Sequence, residues 1–273
     1  MELEWRPSVD LDFRERVEAC YERLWRDRLT VDFAHPEAAL DEYPLVVVPS
    51  LYLTTPAAAE NLRRYVADGG TLLVSYFSGI VDATDTVHPG AYPGALRDLL
   101  GLTVDEFLPL RADESVELGE GRTVLEQSLA GPDGRLTGDV WAEAVELAGA
   151  EAVLRYTDGP AAGGPAVTRH RYGAGTAWYI STRLGAAALA PVMTQVYADA
   201  GIAPPAGVPD GVELVRRTGP AADYLIAINH SATDAKVPLP AELPGTGAEL
   251  ITGASCAGTV TVPAGQVRVV RRG

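Results

Sequence analysis

A short apolar run at residues 45–48 constrains the fold of this chain more than any other stretch. Its sequence, Leu-Val-Val-Val, is too short for a helix and rich in β-branched residues, so it predicts a strand buried on both faces. A helix is predicted to follow it, because Thr54 or Thr55 can cap a helix and Pro56 suits its first position.

The predicted helix after Pro56 has one apolar face and ends at the glycine pair 69–70. Residues 71–79 then form a second apolar strand, which ends in a turn of small residues. Strand, helix and strand joined by short connections form a right-handed parallel crossover, and we expect the rest of the chain to pack around this unit. The apolar face of the helix is predicted to consist of Ala58, Leu62, Tyr65 and Val66.

The charge balance argues against two classes of partner. Acidic residues outnumber basic ones by 37 to 22, which gives a formal net charge of −15. Nucleic acids and anionic membrane surfaces attract lysine and arginine, so neither is an expected partner. No segment approaches the ~20 apolar residues that a membrane-spanning helix needs, and the first residues lack a signal-peptide pattern. Because the chain has only two cysteines, Cys20 and Cys256, we expect a cytoplasmic protein.

Ahead of the first strand, periodic apolar residues predict a helix over residues 10–28, and a short strand is predicted at 31–34. Later segments predict an antiparallel hairpin over 166–181 and, within an otherwise irregular region, a strand at 122–129. The apolar stripe of the first helix is predicted to consist of Phe13, Val17, Cys20, Tyr21, Leu24 and Trp25.

A proline-rich segment at residues 203–210 is the clearest boundary in the sequence. Beyond it every apolar segment is short and separated by Gly/Pro turns, which is typical of a small antiparallel sandwich or barrel. We therefore expect an α/β domain over residues 1–207 and an all-β domain over 208–273. The strands of the second domain are predicted at 212–217, 224–229, 236–239, 248–252, 259–262 and 267–271.

The turn at residues 75–79 is the first candidate for a chemical site, because doubly wound folds place ligands at the ends of parallel strands. Ser75 or Ser78 could act as a nucleophile, but neither a base nor oxyanion donors can be named for them, which favours a structural turn. Asp82, Asp85 and His88 could hold a cation, yet their spacing matches no standard metal site. We predict no catalytic residue, no cofactor and no metal in this chain.

Longer runs of sequence carry a family resemblance that covers essentially the whole chain. The longest is ENLRRYVADGGTLLVSYFSGIVD, at residues 60–82, and HPGAYPGALRDLLG follows it at 88–101. These runs resemble the middle, trimerisation domain of the β-galactosidases of glycoside hydrolase family 42. Residues from 212 onward are similar, more weakly, to the small C-terminal β domain of that family. The other matching runs are SVDLDF at 8–13, VDFAHPEA at 31–38, PLVVVPSLYL at 44–53 and EFLPL at 106–110.

The resemblance implies a flavodoxin-like or class I glutamine-amidotransferase-like parallel sheet that holds subunits together as a homotrimer. It also implies a partner, because the family's catalytic barrel lies ahead of the matching region and carries the two glutamates of retaining β-galactoside hydrolysis. No glutamate of this chain inherits a catalytic role, so the chain alone is predicted to be inactive. The candidate interface or ligand residues all lie within the loop 80–92 or the turn before it, and they are Tyr76, Phe77, Ser78, Gly79, Asp82, His88 and Tyr92.

In this family the middle domain opens with an apolar strand ahead of the matching region, so we expect this chain to be a piece of a longer protein. In the flavodoxin-like order 2-1-3-4-5 the first strand lies between the strands predicted here at 31–34 and 45–48. Residues 1–5 alternate as a strand would and are our expected partial replacement for it.

Two other functions stay open from the residues. One is a free-standing, amidotransferase-like small-molecule hydrolase that uses the turn at Ser78. The other is a sugar-binding module, although the aromatic pairs 76–77 and 178–179 fit a core or an interface better than a carbohydrate platform.

Overall fold

A computed structural model describes residues 10–120, 135–239 and 247–272 of the chain. The chain divides into two compact units, one built from residues 1–18 and 34–202 and the other from 19–33 and 203–273. The predicted strand at 122–129 and the expected strand at 1–5 lie outside the described residues. The boundary at 207/208 stays a prediction.

Four α-helices lie in the described part of the chain. Gly101 ends the third helix in the left-handed conformation, with a φ of 62°, and a 3₁₀ turn at Gly94–Leu96 precedes that helix. Within the described residues no helix is both long and apolar enough to cross a membrane. The helices are α1 (Phe13–Arg26), α2 (Pro56–Ala67), α3 (Arg97–Leu100) and α4 (Ala186–Asp199).

The first unit contains an eight-stranded mixed sheet and a separate two-stranded sheet. The separate sheet pairs β3 (Leu102–Pro109) antiparallel with β6 (Trp141–Leu147). The large sheet has the order β1-β2-β9-β8-β7-β4-β5-β10, in which β1 with β2 and β2 with β9 pair parallel and the other pairs are antiparallel. Its strands are β1 (Leu45–Val48), β2 (Thr71–Ser75), β4 (Ser115–Glu120), β5 (Leu136–Asp139), β7 (Glu151–Tyr156), β8 (Pro165–Tyr172), β9 (Gly175–Ile180) and β10 (Arg183–Leu184).

The fold is mixed α/β, and the flavodoxin-like sheet order predicted from the sequence is not found. Residues 31–34 form no strand, so they do not flank β1. The hairpin of β8 with β9 instead turns the sheet antiparallel after three parallel strands, and β7, β4, β5 and β10 continue it. Because β1 pairs only with β2 in the described part of the chain, three of its four residues are half-buried rather than buried on both faces.

The predicted crossover from β1 through α2 to β2 is confirmed. The hydroxyl of Thr55 accepts the N–H of Ala58 at 3.0 Å, which caps α2 as its sequence indicates. The predicted apolar face is buried, and its Tyr65 hydroxyl lies 2.9 Å from the carbonyl oxygen of Tyr43 and 3.0 Å from that of Thr71. Helix α2 is therefore bonded to the segment just ahead of β1 and to the first residue of β2.

The predicted apolar stripe of α1 is wrong at two positions. Phe13 is 56% exposed and Tyr21 is 41% exposed, whereas the charged Arg16 is almost completely buried. Arg16 is accommodated because its guanidinium carbon lies 5.2 Å from the centre of the Tyr76 ring, over the ring face. A cation–π contact with a residue 60 positions away cannot be read from helical periodicity.

The described residues of the second unit that follow residue 203 form an all-β antiparallel domain, as the sequence predicts. Five strands form one sheet in the order β11-β12-β17-β14-β15, and β13 pairs with β16 in a second sheet. Buried valines, leucines and alanines from both sheets form one core, typical of a small sandwich. The strands are β11 (Val212–Thr218), β12 (Asp223–Asn229), β13 (Ala235–Pro238), β14 (Gly247–Glu249), β15 (Ser255–Cys256), β16 (Thr259–Val262) and β17 (Val267–Arg272).

Candidate functional site

The turn that follows β2 has the backbone strain expected of a functional position. Phe77 adopts a φ of 59°, in the left-handed region that a β-carbon disfavours. The carbonyl oxygen of Tyr76, one residue earlier, accepts the hydroxyl proton of Ser50 at 2.9 Å. Ser50 is itself left-handed, with a φ of 51°. At the carboxyl ends of the parallel strands, the left-handed Ser50 is thus bonded to the residue that precedes the left-handed Phe77.

Ser78 holds the turn closed. Its hydroxyl donates to the carbonyl oxygen of Ser75 at 2.7 Å and accepts the N–H of Leu51 at 2.9 Å, and its side chain is 1% exposed. A serine nucleophile needs an exposed oxygen whose proton passes to a base, and the Ser78 proton is already bonded to a backbone carbonyl. This geometry supports the structural role of Ser78 over the nucleophile considered from the sequence.

Gly79 ends the turn where no side chain fits. Its φ is 66°, and a β-carbon at this position would lie 2.5 Å from the carbonyl oxygen of Pro93. The loop that begins at residue 80 therefore returns to pack directly on the backbone of the turn.

An aromatic cluster is built around Phe77. The Phe77 ring stacks on Tyr52 at 5.4 Å and meets Phe107 and Trp141 edge-on at 5.8 and 5.5 Å, between ring centres. Tyr92 stacks in turn on Phe107 at 4.4 Å. Phe77 and Trp141 are buried, but Tyr52, Tyr92 and Phe107 are only partly buried. With the partly buried Leu53, these three half-buried rings form what we call the aromatic surface.

A buried carboxylate lies beneath this cluster. Glu143, on β6, has no solvent exposure and accepts the Trp141 indole N–H at 3.0 Å and the Tyr179 hydroxyl at 2.6 Å. The backbone N–H of Phe77 also donates to it. Burial raises the pKa of Glu143 to about 7, although the three donors favour its charged form. Glu143 thus bonds directly to the strained residue of the turn.

The loop at residues 80–93 is organised by its own polar side chains. One oxygen of Asp82 accepts the Thr84 N–H and hydroxyl, at 2.8 and 2.7 Å, and the Thr86 N–H at 3.1 Å. The Thr84 hydroxyl is the main cause that lowers the pKa of Asp82. Burial and the carboxylate of Asp85 together raise the pKa of Tyr52. In the part of the chain that is described, no three His, Cys, Asp or Glu side chains come close enough to hold a metal ion.

The structure therefore brings most of the seven predicted site residues together. Tyr76, Phe77 and Ser78 are buried and support the aromatic surface from below, while Tyr92 is part of it. Gly79 ends the turn, and Asp82 and His88 lie in the loop, where the His88 ring packs on Gly94. Sequence reasoning missed Glu143, although Trp141, Glu143 and Val145 alternate on one face of a strand, which is a detectable sign of an inward-facing acid. It also missed Tyr52, Phe107, Trp141 and Tyr179.

Known sequence families match both parts of the chain. The family described as the β-galactosidase trimerisation domain matches residues 1–203, and the β-galactosidase C-terminal domain matches residues 211–272.

Individual proteins agree with these family matches. A β-galactosidase of an Arthrobacter species is 37% identical over 98% of this chain, which covers 36% of that protein. The β-galactosidase BgaB of a Geobacillus species is 38% identical over 88% of this chain and 34% of its own length. The crystal structure of a β-galactosidase from Bacillus circulans sp. alkalophilus superposes with a TM-score of 0.89 at 28% identity. It covers 99% of this chain and 39% of its own. The chain thus spans little more than a third of the relatives it matches.

Proposed function

The chain belongs to the glycoside hydrolase family 42 β-galactosidases, as their non-catalytic trimerisation and C-terminal domains, and on this premise we propose that it holds three catalytic subunits together. The proposed partners are two further copies of the same chain and the catalytic barrel of a longer enzyme. We further propose residues 1–207 and 208–273 as its two domains and the cytoplasm as its location.

The observation that carries this proposal is the aromatic surface. Tyr92 stacks on Phe107, Tyr52 stacks on the buried Phe77, and these three partly buried rings expose apolar area that a lone domain would leave in water. Aromatic residues are enriched in the buried centres of subunit interfaces. Val87, on the adjoining loop, is 52% exposed and adds an apolar residue beside the surface. A stable interface of this kind buries more than ~2,000 Å².

The proposed role of the whole enzyme is retaining hydrolysis of terminal β-D-galactosides by two carboxylates of its barrel. In the described part of this chain, the buried acid Glu143 bonds to tyrosine, tryptophan and backbone donors rather than facing a cleft. This supports an architectural role for the acid.

The experiment is sedimentation equilibrium of the purified chain at high micromolar concentration. We expect a trimer, and we expect the double substitution Tyr92→Arg and Phe107→Glu to give a monomer because it places charge on the aromatic surface. The matched control is Ile251→Glu, which charges a 58% exposed residue of the second unit and should leave the trimer intact. A native chain that stays monomeric would show that the catalytic barrel is needed for assembly.

A further inference from the structure

A small cavity opens on the second unit between the end of α1 and the strand β11. Its volume of about 150 Å³ is roughly that of one sugar ring, and all the residues that line it belong to the second unit. The lining consists of the rings of Tyr21 and Trp25, the segment 28–31 after α1, and residues 213–215 and Arg217 of β11. Cavities that combine aromatic rings with a few polar groups are typical of small-molecule sites. We call it the α1–β11 cavity.

Two aromatic rings give the α1–β11 cavity an apolar side. Tyr21 is 41% exposed and stacks on Phe33, with 6.0 Å between the ring centres. The ring of Trp25 lies 5.9 Å from that of His230. Tyrosine and tryptophan present a large apolar face together with a polar edge. A sugar ring suits such residues, because one of its faces carries mainly C–H groups while its rim carries hydroxyl groups.

Arg28 gives the cavity a fixed donor. Its backbone is left-handed, with a φ of 60°, and its Nη2 donates to the carbonyl oxygen of Pro209 at 2.9 Å and to a carboxylate oxygen of Asp210 at 3.1 Å. These bonds hold the guanidinium in place. Its Nε is nevertheless buried and has no hydrogen-bond partner among the described residues. Since buried polar atoms are nearly always bonded, this N–H is a donor that an oxygen atom of a ligand can satisfy.

Two further charged groups line the cavity, one of each sign. The guanidinium of Arg217 is exposed and makes no hydrogen bond or ion pair within the described ranges. A carboxylate oxygen of Glu213 lies 3.0 Å from Nε2 of His230, which orients the acid. Hydroxyl groups both donate and accept, so a sugar can bond to the arginines and to Glu213 together. A simple anion would leave the carboxylate without a donor, and an apolar ligand would leave the arginine N–H groups unpaired.

We propose that the α1–β11 cavity binds one sugar ring without any chemistry, with the C–H face of the ring on Tyr21 and Trp25. The hydroxyl groups of the sugar bond to Arg28, Arg217 and Glu213. The ring is a free monosaccharide or the end unit of a longer saccharide. This site depends neither on the aromatic surface nor on a trimer, and only the choice of a galactoside as the first probe rests on the proposed function.

The test is an NMR titration of the full chain, labelled with ¹⁵N at its tryptophan indoles, with methyl β-D-galactoside. The Trp25→Phe variant identifies the Trp25 signal among the four tryptophans. We expect the Trp25 signal to shift with a millimolar dissociation constant, because one ring makes few contacts, and the signals of the buried Trp141 and Trp178 to stay in place.

Methyl β-D-glucoside and sodium acetate are titrated in parallel with the galactoside. The absence of a Trp25 shift with either glycoside, up to tens of millimolar, would overturn the proposal. A shift with acetate alone would also overturn it, because the cavity would then be an anion site.

Two neighbouring arginines of β11 provide a matched pair of variants. Arg217 lines the cavity, whereas Arg216 does not and bonds to Asp223 at 3.1 Å. Both side chains are exposed, so neither substitution should prevent folding. Arg217→Ala should weaken binding of the methyl galactoside by about tenfold, the effect of losing a hydrogen bond to a charged group, and Arg216→Ala should leave it unchanged. Equal affinities of the two variants would contradict the proposed site.

Further ligands separate the two sources of the sugar and test the link to the proposed function. A β-linked galactotriose should bind within a few-fold of the methyl galactoside, because the cavity takes one ring, and binding stronger by orders of magnitude would contradict a single-ring site. Binding of the glucoside without the galactoside would support a sugar site that is unrelated to galactoside hydrolysis. A monomeric chain that binds the galactoside would support the site and count against the trimer.

Discussion

The guanidinium of Arg169 bonds both carboxylate oxygens of Asp199, at 2.7 and 2.6 Å, and so joins β8 to the last residue of α4. The Trp178 indole N–H donates to the same carboxylate at 2.9 Å, and the Arg169 guanidinium lies 5.8 Å from the centre of the Trp178 ring. The hydrogen bonding of Arg169 to the Asp199 carboxylate is the main cause that raises the pKa of Arg169. Asp199 is the common acceptor of this group.

We predict that Asp199→Ala lowers the free energy of unfolding by about 2–3 kcal/mol, because it leaves a partly buried guanidinium and an indole N–H without their acceptor. Urea denaturation measures the change. The matched control is Glu151→Gln, which removes the other carboxylate bonded to Arg169, at 3.2 Å, from an exposed position. This change should cost less than about 0.5 kcal/mol. Equal losses of unfolding free energy in the two variants would show that the Arg169–Asp199 pair stabilises the fold no more than the exposed Arg169–Glu151 pair does.

Gly79 offers a test of the turn itself. Gly79→Ala should lower the free energy of unfolding by about 3 kcal/mol, because a left-handed backbone strain is added to a clash with the Pro93 carbonyl oxygen. Gly163→Ala is the control, since it has a φ of 85° and nothing within 4 Å of the added carbon. It should cost about 1 kcal/mol, the strain alone. Thermal and urea unfolding should agree on this order, and a reversed order would contradict the close packing of the turn on Pro93.

The purified chain should not cleave a chromogenic β-galactoside above the rate in buffer. The reason is that the chain comprises the non-catalytic domains of its family, while hydrolysis needs two carboxylates placed across a sugar. The measurement is release of the chromophore after rigorous removal of host β-galactosidase. Turnover that survives this removal would contradict the prediction.

Ser78 should not react with a serine-directed phosphonate probe, because its hydroxyl is buried and already bonded on both sides. Ser78→Ala should instead destabilise the fold by about 1–2 kcal/mol through the two lost hydrogen bonds. Intact-mass spectrometry after incubation with the probe gives the answer. If the phosphonate labels the native chain but not Ser78→Ala, the result would support the alternative that the chain is a serine hydrolase.

The outer edge of β1 should accept another strand. Three of the four residues of β1 are only half-buried, and in the described part of the chain β1 pairs with β2 alone. We predict that joining an apolar strand ahead of residue 1 raises the melting temperature well beyond a few degrees, since each backbone hydrogen bond formed adds about 1 kcal/mol. A Gly/Ser extension of equal length is the control. If both extended chains have the melting temperature of the original chain, the outer edge of β1 does not pair with a strand added ahead of residue 1.

Elements whose signals are local could be predicted from the amino-acid sequence. The cap at Thr55, the apolar face of α2 and five of the six strands predicted after residue 208 all depend on residues within a few positions of one another, and these are found close to their predicted bounds. The strand predicted at 248–252 is shorter, at Gly247–Glu249, and the strand Ser255–Cys256 was not predicted. The turn at 75–79 was also recognised, because small residues that follow a buried strand indicate a turn.

The order of the large sheet and the contacts of Glu143 beneath the turn could not be predicted, because both depend on pairing between distant segments. Strand order depends on which distant segments pair, and nothing in the alternation of β8 and β9 shows that β7, β4, β5 and β10 extend the sheet beyond them. Likewise, Glu143 meets Phe77 only because β6 packs against the turn 66 residues earlier in the chain. Periodicity records which face of an element is apolar, whereas the partner of that face is set by contacts between residues far apart in the sequence.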